Sequence, residues 1–265
     1  MDSPELMIAL EAARLGGEIV RRYFESGVTM RTKESFNLVS DADVESEQAI
    51  VERIRRSYPG HAVLAEEAHR GDARAEHLWL IDPLDGTNNF AHQLPHFAVS
   101  IAYWQAGVPQ CGVVYNPMRE DWYVAARGQG AEHNGRRVRV SAASRLDEIL
   151  VGLGFYYDRG TIMEATLAAI GDLFRQQIHG IRRFGAAALD LCAVAEGQFG
   201  AFFEYELWPW DWGAGLLFVE EAGGRVTNCL GGAVPLAPTS ILASNGVLHD
   251  ALLDVVSRHY PVQNA

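Results

Sequence analysis

The chain has 265 residues, 48% of them apolar and 21% charged, with 34 acids against 22 bases and a net charge of −12. That composition supports a buried core and excludes a disordered chain, and the acidic balance offers no broad basic footprint for direct contact with nucleic acid. No apolar run reaches the ~18 residues of a membrane helix, the acidic start Met1-Asp2-Ser3-Pro4-Glu5 does not read as a secretory leader, and Cys111, Cys192 and Cys229, without CxxC spacing, exclude a disulfide scaffold or zinc ribbon and point to a reducing, cytoplasmic setting.

Ser3-Pro4 is a good helix start, with Pro at the first position, where its missing N–H costs nothing. Leu6, Leu10, Ala13, Gly17, Val20 and Phe24 then follow at helical spacing. A second helix is predicted from Asp43 to Tyr58, with Val44, Val51, Ile54 and Tyr58 on one face and Pro59-Gly60 as its stop. Strands follow at His61–Leu64, Leu78–Ile81, Phe97–Trp104, Cys111–Tyr115 and Trp122–Ala126. Gln105-Ala106-Gly107 reads as a hairpin turn and Asn134-Gly135 as a type I′ turn. Beyond Leu150 strand and helix alternate. Strands are expected at Val151–Phe155, Ile178–Arg182, Phe199–Glu204 and Ser240–Ala243, and helices at about 162–175, Gly185–Glu196, Trp212–Ala222 and Val247–Tyr260. This predicts an α/β chain of helices packed on sheets in several layers. The sheet of the first half should be more antiparallel and that of the second more parallel. With no linker between them, one unit over 1–265 is expected, with subdomains at about 1–150 and 151–265.

The stretch that says most about chemistry is Leu78-Trp79-Leu80-Ile81-Asp82-Pro83-Leu84-Asp85-Gly86-Thr87-Asn88-Asn89-Phe90. Four apolar residues form a buried strand that ends in an acid. Pro83 fixes φ and removes a donor, so the strand cannot simply continue. Asp85-Gly86 turns the chain, and the two carboxylates, three residues apart, can converge. Short Asp-Pro or Asp-Gly pieces are usually ordinary capped turns; the full run is far more specific. Three other acidic positions are weaker alone. Glu66-Glu67 at a strand end also reads as solvated surface. Asp211, just ahead of an apolar helix, and Asp43, at the start of the second helix, also read as caps. Gathered together, such acids repel: a like-charged pair ~4 Å apart costs about 1 kcal/mol in water and ~4 kcal/mol at a dielectric near 20. A divalent cation removes that penalty, and all-oxygen donors select Mg²⁺ over Zn²⁺. Two such ions ~3.5–4 Å apart clamp the attacking and leaving oxygens in phosphoryl transfer.

Asp82-Pro83-Leu84-Asp85-Gly86-Thr87-x-Asn89-Phe90 resembles the signature of the inositol monophosphatase family. Trp210-Asp211-x-x-Ala214-Gly215, followed by Glu221-Ala222-Gly223-Gly224, resembles its second signature. Leu94–Ser100, Ala125–Ala131 and Arg182–Leu191 look like the bacterial inositol-1-monophosphatases, and the resemblance runs from the first helix to about residue 255. It implies an αβαβα sandwich of the inositol monophosphatase and fructose-1,6-bisphosphatase type, forming a homodimer. It implies a Mg²⁺-dependent, lithium-sensitive phosphatase that hydrolyses inositol phosphates by a metal-activated water. By resemblance, Glu66, Asp82 and the Leu84 carbonyl would hold one Mg²⁺, Asp82, Asp85 and Asp211 a second, and Glu66 a weaker third through water. Gly86 and Thr87 would donate backbone N–H groups to the phosphate. Thr87, with Asp43 behind it and Glu66 nearby, would activate the water. Gly185, Ala186, Ala187, Glu204 and Arg182, with Asp85 and Asp211, would bound the substrate, and Lys33 matches a family lysine near the metals. Histidinol phosphate, fructose 1,6-bisphosphate and 3′-phosphoadenosine 5′-phosphate are alternative substrates, because related families keep the same metal site. Some bacterial relatives associate with the transcription machinery and assist ribosomal RNA production, which leaves a binding role open. Ala65 departs from a common glycine. Trp212, Glu206 and the bulky Phe155-Tyr156-Tyr157-Asp158 are expected beside the leaving-group pocket.

Overall fold

The structure, a computed structural model, describes residues 3–27, 29–34 and 37–261. Helix α1 (Pro4–Ser26) is capped by Ser3, whose Oγ accepts from the Leu6 N–H at 3.1 Å. An antiparallel pair, β1 (Arg31–Glu34) and β2 (Asn37–Val39), follows; it is too short to announce itself by alternation. Helix α2 (Asp41–Ser57) leads into β3 (Ala62–Ala65), β4 (His77–Asp85), the short α3 (Thr87–Ala91) and β5 (Ala98–Gln105). Strands β6 (Val108–Asn116), β7 (Asp121–Ala126), β8 (Gly130–His133) and β9 (Arg136–Arg137) complete a seven-stranded sheet in sequential order. Only β3 and β4 are parallel in it. Ala106-Gly107 and Asn134-Gly135 carry positive φ at both residues, the conformation that a tight hairpin turn requires.

The second half contains β10 (Leu150–Leu153), α4 (Thr161–Arg175), β11 (Gly180–Arg182), α5 (Ala187–Ala195) and β12 (Ala201–Leu207). It ends with α6 (Pro209–Glu221), β13 (Arg225–Thr227), β14 (Thr239–Ser244) and α7 (His249–Arg258). Its five-stranded sheet has the order β11-β10-β12-β14-β13. The first three strands are parallel, but β14 runs antiparallel to both β12 and β13. The sheet is therefore mixed, with two parallel pairings of four against one of six in the first sheet, more parallel than the first as expected; only crossovers through a helix force parallel pairing, and β13 joins β14 without one.

Strand parity sorts the core into layers. On β4, Trp79 and Ile81 pack against α1 and α2 with Ile50, Ile54 and Ala9. Leu78 and Leu80 face the other way, onto α5 and α6 with Leu191, Trp212 and Phe218. A strand covered on both faces reads as a continuous apolar run. The same α5–α6 layer meets Phe202 and Ile241 of the second sheet, whose far face holds Val151, Phe203 and Leu242 against α4 and α7. The stacking is helix, sheet, helix, sheet, helix.

Candidate active site

The site forms where β4 stops. β4 and β5 pair regularly down to Asp82 opposite Ser100, and the next pair is Asp85 opposite Ala98, so β4 carries one extra residue. Pro83, with no N–H, lies in that bulge. The Leu84 N–H turns back to Asp82 Oδ1 at 2.9 Å, and the Leu84 carbonyl accepts from Thr87 Oγ1 at 3.0 Å. Leu84 itself is buried with Val20, Phe90 and Phe97, which anchors the turn. Gly86 has φ +94, and a Cβ there would stand 3.1 Å from the His96 carbonyl and 3.2 Å from Ala186 Cβ. Glycine is required on both counts.

Four helix N-termini point at this strand end. Helix α2 begins at Asp41, earlier than its apolar spacing suggests, because Ser40 is the cap. Asp43 is thereby at the third helical position. Its Oδ2 accepts from Ser40 N–H at 2.8 Å and Ser40 Oγ at 2.6 Å, while Oδ1 accepts from Thr87 Oγ1 at 3.3 Å. Helix α6 likewise begins at Pro209, so Asp211 lies inside it, not ahead of it; its Oδ2 accepts from the Trp208 N–H at 2.7 Å. Helix α5 presents its free amides to Asp85: Ala187 N–H to Oδ1 at 3.1 Å and Ala188 N–H to Oδ2 at 2.8 Å. An anion at a helix N-terminus is a stabilising arrangement, so Asp85 joins the first sheet to the middle helix layer. Helix α3 starts at Thr87 itself.

Glu66, Asp82, Leu84, Asp85, Thr87 and Asp211 line one cavity of about 440 Å³, with Gly86, Gly185, Ala186, Ala187 and Glu204 also on its wall. Burial, and then the charges of Glu66, Asp85 and Asp211, hold the Asp82 carboxyl well above its ordinary range. Burial and then Glu66 do the same to Asp211. Burial also raises Asp85, against the lowering effect of the Ala188 and Ala187 amides. Buried oxygen donors that raise one another's proton affinity fit a hard divalent cation. Among the described residues no three His, Cys, Asp or Glu side chains stand close enough together to hold a metal ion between them.

Two expected positions fall elsewhere. Arg182 is exposed, its guanidinium turned back to the Ile181 carbonyl at 2.9 Å, and the neighbouring Arg183 lines the cavity instead. Trp212 is not at the pocket: it is fully buried, edge-on to Trp104 at 5.9 Å in the core between the first sheet and α6. Phe155, Tyr156 and Tyr157 do line the cavity, whereas Glu206 is not on its wall and stands behind Tyr156, on whose hydroxyl it acts. The side chain of Lys33 lies outside the described residues.

Three supporting residues escape a sequence reading. Glu47 is buried on α2 and accepts from the Glu67 N–H at 2.6 Å, the Ala68 N–H at 2.8 Å and His69 Nδ1 at 2.7 Å. It fixes the loop that carries Glu66, and its position one turn beyond Asp43 is the only signal. Arg70 bonds the Ala65 and Glu66 carbonyls and lies over the Trp210 ring at 5.2 Å. Asp190, a single acid in the otherwise apolar run Ala186–Ala195, lines the cavity.

The model of the inositol monophosphatase family matches residues 1–260. The Nus factor SuhB of Pseudomonas aeruginosa is 42% identical over 266 residues, covering 97% of each chain. The structure of inositol monophosphatase from Anabaena (Nostoc) sp. PCC 7120 superposes with a TM-score of 0.86 at 39% identity, covering 98% of both chains. The extragenic suppressor protein suhB from Bartonella henselae superposes with a TM-score of 0.90 at 35% identity, covering 97% of this chain and 99% of that one. With its αβαβα layers and a match along nearly its whole length, the chain belongs to the inositol monophosphatase family.

Proposed function

We propose that this protein is a cytoplasmic Mg²⁺-dependent phosphomonoesterase of inositol phosphates, with myo-inositol 1-phosphate as the first substrate to try. The observation that carries the reading is the convergence of Glu66, Asp82, Asp85, Asp211 and Thr87 on one cavity. The four acids and the Leu84 carbonyl would hold Mg²⁺, which when bound neutralises phosphate charge and stabilises the leaving alkoxide. The chain's own residues position the water. The Thr87 hydroxyl has one proton and two acceptors in reach, Asp43 and the Leu84 carbonyl. Donated to Asp43, that proton leaves a lone pair on Oγ1 for a proton of the attacking water. Ser40 holds the other Asp43 oxygen, so the acceptor stays in place. Gly185, Ala186 and Glu204 would bound the alcohol. A homodimer and inhibition by Li⁺ belong to the same reading.

Phosphate release should be measured from inositol 1-phosphate, histidinol phosphate, fructose 1,6-bisphosphate and 3′-phosphoadenosine 5′-phosphate, with Mg²⁺ and with a chelator. Inositol 1-phosphate should lead and chelation should abolish turnover. Full activity in metal-free buffer would sink the reading. A second reading has support from the relatives named Nus factors: association with the transcription machinery. Asp211→Asn separates the two, since a binding role should survive it and turnover should not.

A further inference from the structure

We infer that Asp190 is a specificity-determining residue at the alcohol end of the cavity, where with Glu204 it forms an acceptor pair that favours leaving alcohols rich in hydroxyl donors. The inference rests on the phosphatase reading above. Asp190 lies in the first turn of α5 and is 1% exposed, yet its Oδ1 has no partner among the described residues. Buried polar atoms are nearly always bonded, and an orphan calls for an explanation. A structural one is missing: the free amides of α5 at Ala187 and Ala188 are already taken by Asp85, and the neighbours of Asp190 along the helix are apolar.

Glu204, on β12, lines the same cavity, and no hydrogen bond from the described residues reaches its carboxylate. The carboxylate occupies the space where a Cβ at Gly154 would be, so a glycine there leaves it room. Asp190 is the charge that acts most strongly on Glu204, ahead of Arg183 and Asp85. Asp85 and Arg183 are in turn the charges that act on Asp190. These four groups therefore share one end of the cavity, next to the strand end where the phosphate would lie. Arg183 is an exposed residue on the wall; the two carboxylates are buried. Burial raises both carboxyls above their ordinary range, Glu204 to about 8, and in either protonation state each keeps acceptor oxygens, Asp190 Oδ1 among them, at the cavity. An alcohol that brings hydroxyl donors can pair with them, and a second phosphate or carboxylate would meet two buried acids against one arginine.

The test is Asp190→Leu beside Asp190→Asn, in Mg²⁺-loaded protein, with inositol 1-phosphate and propyl phosphate as substrates. A site built to bond a substrate hydroxyl discriminates strongly against loss of that bond. Asp190→Leu should raise KM for inositol 1-phosphate by about tenfold or more, with kcat/KM for propyl phosphate within about twofold of wild type. Asp190→Asn, which keeps one acceptor, should recover part of the KM, and the Mg²⁺ concentration for half activity should not move. Equal losses on both substrates, or a wild-type enzyme that does not prefer the polyol, would overturn the assignment while leaving the phosphatase reading intact. A wild-type protein that releases phosphate from neither substrate with Mg²⁺ would overturn both.

Discussion

Glu47→Ala tests how the loop bearing Glu66 is held. Glu47 is 1% exposed and takes three donors from that loop, two of them backbone amides at 2.6 and 2.8 Å. A hydrogen bond to a charged group is worth about 1.5–3 kcal/mol when its partner would otherwise be unsatisfied. Ala68 is exposed and Glu67 half-buried, so water replaces part of each lost bond. The lower bound applies, and two amide bonds sum to roughly 3 kcal/mol. Glu47→Gln keeps one oxygen but turns an amide group toward a donor, and should lose about half as much. The loss should also reach the site, because Glu66 directly precedes the first clamped amide. Residues that orient metal ligands typically change metal affinity by about 10–100-fold, so the Mg²⁺ needed for half-maximal activity should rise by about tenfold in Glu47→Ala. Urea unfolding in chelator gives the stability term without metal, and a Mg²⁺ titration of turnover gives the second. Amide exchange should speed up at Glu67 and Ala68 and stay unchanged on β5. Stability within about 0.5 kcal/mol of wild type, with an unaltered Mg²⁺ titration, would refute the clamp.

Other consequences can be checked independently. Thr87→Ala should lower kcat on the order of 10²–10⁴ at saturating Mg²⁺, with Thr87→Ser close to wild type; equal slowing of both would remove the hydroxyl from the mechanism. Asp211→Asn removes a charge that burial and Glu66 make unfavourable, so Tm in chelator should hold or rise while the Mg²⁺-dependent increase in Tm shrinks; an undiminished increase would return Asp211 to a capping role alone. His249 is buried between Thr227 Oγ1 and Ser244 Oγ, each at 2.9 Å, and burial followed by Arg225 lowers its pKa to about 4. Its folded pKa is below the unfolded value, so its contribution is complete above pH ~6.5 and is lost as pH falls toward 4, by up to about 3 kcal/mol. Unfolding free energies of wild type and His249→Gln should converge over that window, and parallel pH curves would exclude the histidine as the cause.

What could be read in advance depended on how many residues share a physical reason. Leu78-Trp79-Leu80-Ile81 is legible because both faces of β4 are covered, and the acid that ends the run stands out against it. Strands β1, β2 and β13 have three or four residues each, too few for a period. Helices α2 and α6 start before their apolar stripes do, because Ser40 and Pro209 set the first turn and periodicity does not. Arg182 and Arg183 are a case of parity: consecutive residues at a strand end point to opposite sides, and composition alone cannot say which side holds the cavity. Glu47 serves a loop about 20 residues on and Asp190 faces groups from other elements, so their roles leave almost no local pattern, while Arg70, though it bonds carbonyls only four and five residues back, lies in a loop with no period to mark it.

The acids themselves carry a further lesson. Capping a helix and serving the site look like competing explanations for Asp43 and Asp211, yet a carboxylate has two oxygens and about four acceptor positions. Asp43 gives Oδ2 to Ser40 and Oδ1 to Thr87. Asp211 gives Oδ2 to the Trp208 amide and still faces the cavity. Asp85 takes both amides of α5 and lines the same space. Each helix N-terminus adds partial positive charge next to an acid that burial would otherwise drive toward protonation. The fold thus offsets part of the repulsion within its acid cluster before any cation arrives, using donors the helix ends must satisfy in any case. Replacing one of these acids therefore removes a proposed site group and a helix-end partner together, and only a measurement of stability beside one of turnover separates the two effects.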